Sequence, residues 1–353
     1  MIRKHEDLQA PRIGAAGRLT LDRPGSLNAL TLGIVRGMAE ILDEWEADPE
    51  IGAVVIDAAG PRAFCAGGDI RALHDGGRAK DGLAETFWRE EYILDARIAG
   101  YSKPVVPLMA GLIMGGGVGI SAHARHRVVT DTTALAMPEV GIGLIPDVGA
   151  TWLLSRAPGE CGTYLALTGE RIGAADVIAL GLADHFVPQA RLEELGAALA
   201  AISGPDLDRG VSEAIGRVAG APGPSRLLDM REKIDALFRF DTVEEIVAAL
   251  NRDGSDWARG LAAGIATRSP TSLKLTLAAL RGARSLTSLE ASLQVEYRIV
   301  CRIIRADDFL EGVRAIIIDK DQTPHWSPAT LPEVTPEMVA AYFEPLGPDE
   351  LTF

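Results

Sequence analysis

The stretch MAGLIMGGGVGISAHA, residues 109–124, holds three consecutive glycines at 115–117 and another close behind them at 119. It lies in a run from Pro104 to Ala124 that contains no Asp, Glu, Lys or Arg. The run is long enough to suggest a membrane span, but its two prolines and five glycines favour a β-strand that turns into a helix. Glycines at a helix start let a ligand approach free backbone N–H groups, where the helix dipole favours negative charge. The alternative is close packing of the helix on a strand.

The segments around this stretch alternate between strand and helix patterns, which is typical of an α/β fold with crossover helices. Strands are predicted over 18–21, 53–57, 104–112 and 127–130. Helices are predicted from the N-cap Thr31 to 47, over 85–99, over 116–124, and from Asp147 to about 157. After about residue 188 the pattern is mostly helical. We therefore predict a core over residues 1–204 and a mainly helical C-terminal region over 205–353 that packs on it.

Composition excludes several classes of protein. The 353 residues carry a net charge of −14, which disfavours nucleic acid and an anionic membrane as main partners. Cys65, Cys161 and Cys301 show no metal-binding spacing, so neither a metal site nor a disulfide framework is predicted. Three thiols fit a reducing compartment, and MIRKHEDLQAPR (1–12) lacks the apolar core of a signal peptide. The resulting expectation is a cytoplasmic location.

The segment FCAGGDIR, residues 64–71, places two glycines before an acid and follows a predicted strand and a loop. Backbone N–H groups at such a turn can point outward into a cavity. The alternative is a simple turn in which Asp69 caps the helix that follows. The motif alone leaves both interpretations open.

The segment MPEVGIGLIPDVG, residues 137–149, holds two acids in apolar, glycine-rich surroundings. Burial raises the pKa of a carboxyl group, which makes it usable as a general acid or base near neutral pH. The alternatives are that Asp147 heads a helix and that Glu139 pairs with an arginine. Two acids eight residues apart favour a functional role.

A third acid lies on an apolar helix face. Within the predicted helix 85–99, Glu91 shares a stripe with Phe87, Leu94 and Ile98. A carboxylate in that position is either paired or functional, and the residues alone favour an ion pair. The chain has no GxSxG segment, so an α/β-hydrolase triad is not supported.

In this order and spacing, FCAGGDIRAL, IMGGGVG and MPEVGIGLIPDVGATWLL resemble the crotonase (enoyl-CoA hydratase/isomerase) superfamily, and more closely its 3-hydroxyisobutyryl-CoA hydrolase branch. The resemblance covers nearly the whole chain, because WREEY (88–92), YLALTG (164–169), EGVRAIIIDKD (311–321) and HWSPATLPEV (325–334) also match. It implies an α/β fold, a crotonase-type spiral of ββα turns followed by a helical C-terminal region, with a site for a coenzyme A thioester.

The resemblance also implies roles for single residues. The backbone N–H groups of Gly68 and Gly116 would form an oxyanion hole for the thioester oxygen. Hydratases of the superfamily use two glutamates, of which the second matches Glu139 and the first falls on Gly119. Hydratase activity is therefore expected to be poor. The hydrolase branch instead pairs the retained glutamate with an aspartate, here Asp147.

The implied activity is hydrolysis of a short β-hydroxyacyl-CoA, first of all 3-hydroxyisobutyryl-CoA of valine degradation, with Glu139 as general base or nucleophile. Glu91, Asp69, Ile70 and Arg71 would bind the acyl-CoA substrate. The alternatives are an enoyl-CoA hydratase or isomerase and a non-catalytic acyl-CoA binding protein. No cofactor or metal is expected, since coenzyme A is part of the substrate. The superfamily often forms trimers, which implies a homo-oligomer, although the long C-terminal region could cover that surface.

Overall fold

The computed structural model describes residues 7–353. Residues 1–6, the start of the segment that the sequence predicts not to be a signal peptide, lie outside the described residues. The rest of the chain forms a mixed α/β fold, as predicted. No helix among residues 7–353 is both long enough and apolar enough to cross a membrane.

The described strands form two sheets. They are β1 (Leu8–Gln9), β2 (Arg12–Ile13), β3 (Ala16–Leu21), β4 (Ala53–Ala58), β5 (Ala63–Cys65), β6 (Val105–Met109), β7 (Leu112–Met114), β8 (Val128–Val129), β9 (Ala134–Ala136), β10 (Ile172–Gly173) and β11 (His185–Phe186). The larger sheet has the order β1–β3–β4–β6–β8–β11, with β2 beside β3. The smaller sheet has the order β10–β9–β7–β5. Strands β3, β4, β6, β8 and β11 run parallel, whereas β1 and β2 are antiparallel to β3. Parallel neighbours are connected through helices, as the alternating sequence pattern predicts.

Helices become more frequent along the described chain toward its C-terminal half. They are α1 (Leu32–Ala47), α2 (Ile70–Ala79), α3 (Leu83–Gly100), α4 (Gly116–Ala122), α5 (Ala150–Leu154), α6 (Cys161–Thr168), α7 (Ala174–Ala179), α8 (Leu192–Ala200), α9 (Leu207–Val218), α10 (Arg226–Asp229), α11 (Arg231–Phe238), α12 (Val243–Asp253), α13 (Asp256–Ile265), α14 (Pro270–Ala283), α15 (Leu289–Ile303), α16 (Asp307–Val313) and α17 (Pro336–Phe343). The predicted cap of α1 is confirmed, since the Thr31 hydroxyl oxygen accepts the Ile34 N–H at 3.2 Å.

The uncharged run folds as a strand that leads into a helix, as predicted, but the single strand predicted over 104–112 is wrong. Strand β6 ends at Met109 and β7 begins at Leu112, in the other sheet. The break falls at Gly111, whose φ is 82°. A Cβ at this position would lie 2.8 Å from the Arg62 carbonyl oxygen, so the bend requires glycine.

The chain divides into two compact units. The first unit holds residues up to 68, 90–135 and 171–226, and the second holds 69–89, 136–170 and 227–353. In the first unit, alternating side chains of β4, β6 and β8 pack with the apolar faces of α8 and α9. The second unit is mostly helical. The predicted single division between residues 204 and 205 stays a prediction.

Candidate active site

The glycine triplet lets helix α4 begin directly against strand β5. Gly116 is the first residue of α4, so its N–H has no acceptor within the helix. A Cβ on Gly117 would overlap the Cys65 carbonyl oxygen and would lie 2.9 Å from the Cys65 Cβ. The close packing of the helix on a strand is therefore confirmed, and the approach of a ligand to the N–H groups at the helix start stays a prediction.

Gly68 and Gly116, both in the first unit, lie in neighbouring segments. Leu30 forms an isolated parallel bridge with Gly68, and its Cδ1 lies 3.0 Å from the position that a Cβ on Gly116 would take. A Cβ on Gly67 would lie 3.5 Å from the Gly116 nitrogen. The structure thus brings together the two segments that carry the predicted donors, whose role stays a prediction.

Two buried carboxylates of helix α3 face two glycines of α4. Glu91 is 2% exposed, and its Oε1 occupies the space that a Cβ on Gly116 would need. Asp95, one helical turn later, is fully buried, and its Oδ2 lies 2.6 Å from the Cβ position of Gly119. A glutamate at position 119 would therefore have to displace Asp95. The sequence reasoning missed Asp95, although it follows Glu91 by four residues and falls on the same helix face.

Asp69, Ile70 and Arg71 lie at the start of helix α2 in the second unit. The Asp69 carboxylate accepts the Ala72 N–H at 3.3 Å, so the capping interpretation of Asp69 is confirmed. The Arg71 guanidinium donates to the Ile317 carbonyl oxygen at 3.4 Å. Substrate binding by these three residues stays a prediction.

Glu139 begins a short 3₁₀ turn, Glu139–Gly141, directly after Pro138 in the second unit. The residue is 5% exposed, and within residues 7–353 its Oε2 has no hydrogen-bond partner. Burial, and secondly the charge of Asp147, hold the pKa of Glu139 well above its ordinary value of 4.5. A buried carboxyl group of this kind suits a general base or a nucleophile.

Asp147 is 4% exposed and lies close enough to Glu139 to raise its pKa. The prediction that Asp147 heads a helix is wrong, because α5 begins at Ala150 and Gly149 occupies the N-cap position. Glu296 of α15 also neighbours Asp147. Sequence reasoning missed Glu296, yet it lies three residues after Leu293 and four before Val300, on a buried apolar helix face. The criterion that singled out Glu91 would have found it.

No group of three or more His, Cys, Asp or Glu residues in the described range is placed to hold a metal ion. All three cysteines are buried. Burial raises the pKa of Cys65 to about 12, so its thiol stays protonated at neutral pH and is a poor nucleophile. The expectation that the reaction needs no metal or cofactor stays a prediction.

A family model described as enoyl-CoA hydratase/isomerase matches residues 16–343. The chain belongs to this family. A curated relative from Xenopus tropicalis, named 3-hydroxyisobutyryl-CoA hydrolase, mitochondrial, is 44% identical over 345 residues, which cover 96% of this chain and 89% of the relative. The predicted family and its hydrolase branch are therefore confirmed.

Two solved structures of the family match almost the whole fold. A crystal structure described as a carnitinyl-CoA dehydratase from Mycobacterium thermoresistibile has a TM-score of 0.93 and 46% identity, and the match covers 99% of each chain. One described as an enoyl-CoA hydratase from Rhodobacter sphaeroides 2.4.1 has a TM-score of 0.90 and 44% identity, covering 99% of this chain and 100% of the other. These matches confirm the predicted crotonase-type fold.

The expectation of a cytoplasmic location is contradicted. The relative from Xenopus tropicalis is named a mitochondrial enzyme. Buried thiols and a charged N-terminal segment report on redox conditions and on secretion, and they do not separate the reducing compartments of a cell from one another. The inference from cysteine content therefore went further than its physical basis allowed.

Proposed function

We propose that the chain hydrolyses the thioester of a short β-hydroxyacyl-CoA, with 3-hydroxyisobutyryl-CoA as the first candidate substrate. The observation that carries this proposal is the buried Glu139 beside Asp147, with a raised pKa. The absence of a second glutamate at Gly119 supports hydrolysis over hydration. The name of the Xenopus tropicalis relative, similar over nearly its full length, supports the same substrate.

Either of two routes would use Glu139. As a general base it would take a proton from water, whose oxygen would attack the thioester carbonyl carbon. As a nucleophile its carboxylate would attack that carbon, and water would then open the resulting anhydride. In both routes the C–S bond breaks, coenzyme A leaves as a thiolate that takes up a proton, and the acyl group becomes a carboxylate.

The remaining candidate residues would stabilise charge or bind the substrate. Donation from the N–H groups of Gly68 and Gly116 to the thioester oxygen would stabilise the negative charge that develops there, each donor by about 3–4 kcal/mol. Asp147 and Glu91 would bind the substrate hydroxyl or orient the acyl group. A site built to hydrogen-bond a hydroxyl discriminates strongly against analogues that lack it.

Hydration or isomerisation of an enoyl-CoA is the second candidate function. Asp95 favours it, because this buried carboxylate lies against Gly119, where a hydratase would carry its first glutamate. The structural neighbours described as a dehydratase and a hydratase support the same alternative. Two acids are needed to add water across a double bond. The choice between hydration and thioester hydrolysis therefore depends on whether Asp95 can act as the second acid beside Glu139.

A panel of four esters distinguishes the candidates: 3-hydroxyisobutyryl-CoA, 3-hydroxypropionyl-CoA, crotonyl-CoA and a 3-enoyl-CoA. We expect release of free thiol from the two hydroxyacyl esters and little change in the absorbance of the two unsaturated ones. Loss of the crotonyl double bond without thiol release would instead establish a hydratase. Tight binding of all four esters with neither reaction would establish a non-catalytic binding protein.

Asp147→Asn is expected to move the acidic limb of the kcat/KM profile to lower pH. The Asp147 charge disfavours ionisation of Glu139, so its removal lowers the pKa of Glu139 and exposes the active carboxylate at lower pH. The limb should stay above pH 4.5, since burial is the larger cause of the shift. Asp256→Asn, which alters an exposed acid of the same unit, is the control. An acidic limb that stays at its wild-type pH, or moves to higher pH, would contradict the coupling between Asp147 and Glu139.

A further inference from the structure

The turn that carries Asp147 has an unfavourable backbone. Val148 has a φ of 55° and Gly149 a φ of 78°, so two consecutive residues lie in the left-handed region. Glycine adopts this region readily, but a β-branched residue such as valine does so only at a conformational cost. A conformation of this kind persists only where surrounding contacts fix it.

Glu296 supplies such contacts from helix α15. Its Oε2 accepts the Gly149 N–H at 2.6 Å, and its Oε1 accepts the Thr151 N–H at 2.9 Å. The Thr151 hydroxyl also donates to Oε1 and lies 2.8 Å from the Ser292 hydroxyl. The carboxylate is fully buried, so water does not compete for these bonds.

We propose that Glu296 is a positioning residue that holds the left-handed turn at Val148 and thereby fixes Asp147 beside Glu139. The proposal rests on the proposed function, because it assigns the positioned residue to that reaction. Gly149 follows Val148 directly and Thr151 lies three residues after it, so Glu296 binds the chain where it leaves the turn, while Asp147 directly precedes Val148.

The chemistry of the carboxylate supports this role. Three donors converge on the two oxygens of the Glu296 carboxyl group, and these hydrogen bonds favour its ionised form and so oppose the rise in its pKa. Burial raises the pKa of Glu296 to about 8, and the Asp147 charge acts in the same direction. A buried acid kept beside another acid is costly to the fold. A contribution to the site explains its presence better than a contribution to stability does.

The first test compares Glu296→Gln with Asp235→Asn. Glutamine has nearly the same shape, but one carboxylate oxygen is replaced by an NH₂ group. That group donates hydrogen bonds and cannot accept one, so one of the two backbone N–H groups that donate to Glu296 loses its acceptor. Asp235 is the matched control, since it likewise accepts a backbone N–H across the chain, from Glu160 at 2.7 Å, away from the candidate residues. We expect kcat of Glu296→Gln to fall about 10- to 100-fold with KM nearly unchanged. Asp235→Asn should keep the wild-type kcat.

A second variant separates positioning from proton exchange. If Glu296 acts by holding Val148, then Val148→Gly in the Glu296→Gln background removes the conformational cost and should restore part of the lost kcat. A proton relay between Glu296 and Asp147 would gain nothing from that change. No recovery in the double variant would overturn the positioning role.

Amide hydrogen exchange tests the contact independently of the reaction. The Gly149 and Thr151 amides should exchange faster in Glu296→Gln than in the wild type or in Asp235→Asn. If the wild-type chain releases no thiol from any ester, the proposed function fails, and exchange alone decides whether Glu296 holds the turn. Unchanged exchange, or a kcat equal to that of Asp235→Asn in an active enzyme, would overturn the inference.

Discussion

Glu139→Gln is expected to lower kcat for thioester hydrolysis by about 10²- to 10⁴-fold while KM changes little. Glutamine keeps the size of the side chain but can neither accept a proton from water nor attack a carbonyl carbon. The measurement is release of free thiol from 3-hydroxyisobutyryl-CoA at several substrate concentrations. Glu344→Gln, which changes an exposed acid of the same unit, is the control.

The same variant should be more stable than the wild type at alkaline pH. The pKa of Glu139 lies well above 4.5 in the folded chain, so the folded state binds this proton more tightly than the unfolded state does. The resulting stabilisation is present below pH 4.5 and is lost as the pH rises through the folded pKa. Glutamine does not ionise, so the variant avoids the loss of stability that ionisation of buried Glu139 causes in the wild type at high pH. An inactive variant that loses as much stability between pH 5 and pH 8 as the wild type loses would contradict the assignment.

Gly117→Ala is expected to lower kcat/KM by about 10²- to 10³-fold, the loss that follows removal of one oxyanion donor. The added methyl group would overlap the Cys65 carbonyl oxygen and lie 3.1 Å from the carbonyl carbon. Backbone cannot swing aside as the end of a side chain can, so α4 must withdraw from β5. This movement would draw Gly116 away from the segment that ends in Gly68.

A matched glycine on another helix controls for the effect of alanine itself. Gly216 lies within α9 and has nothing within 4 Å of its Cβ position, so Gly216→Ala should leave activity unchanged and slightly stabilise the helix. Melting temperatures of both variants separate loss of fold from loss of the donor. Wild-type kcat/KM in a folded Gly117→Ala protein would show that the close approach of α4 to β5 is not needed to position the Gly116 N–H for the reaction.

Local signals in the sequence predicted much of this molecule. Apolar spacing and the Thr31 cap located α1, and glycine content separated the start of α4 from a membrane span. The break at Gly111 was not predictable in the same way, because an apolar run has no periodicity that would mark a change of sheet. The order of the motifs, rather than any one of them, identified the family.

Candidate site residues were predictable only where acids lie in unusual sequence surroundings. Glu139 and Asp147 follow prolines in an apolar loop, and Glu91 interrupts an apolar helix face. The contact of Asp95 with Gly119 depends on how two helices pack, and that packing is not written in either helix alone. The contact between Glu296 and the turn at Val148 likewise joins distant parts of the chain.

This last contact sets an order of events in the making of the protein. The hydrogen bonds to Glu296 span 147 residues from Gly149 and 145 from Thr151. At roughly 5–20 residues per second, a ribosome completes the turn about 7–30 s before it reaches α15. During that interval the nascent chain already carries Glu139 and Asp147, but the hydrogen bonds from Glu296 to the turn at Val148 have not yet formed. The turn that carries Asp147 therefore gains its contact with Glu296 only in the last part of synthesis, after α15 has been made.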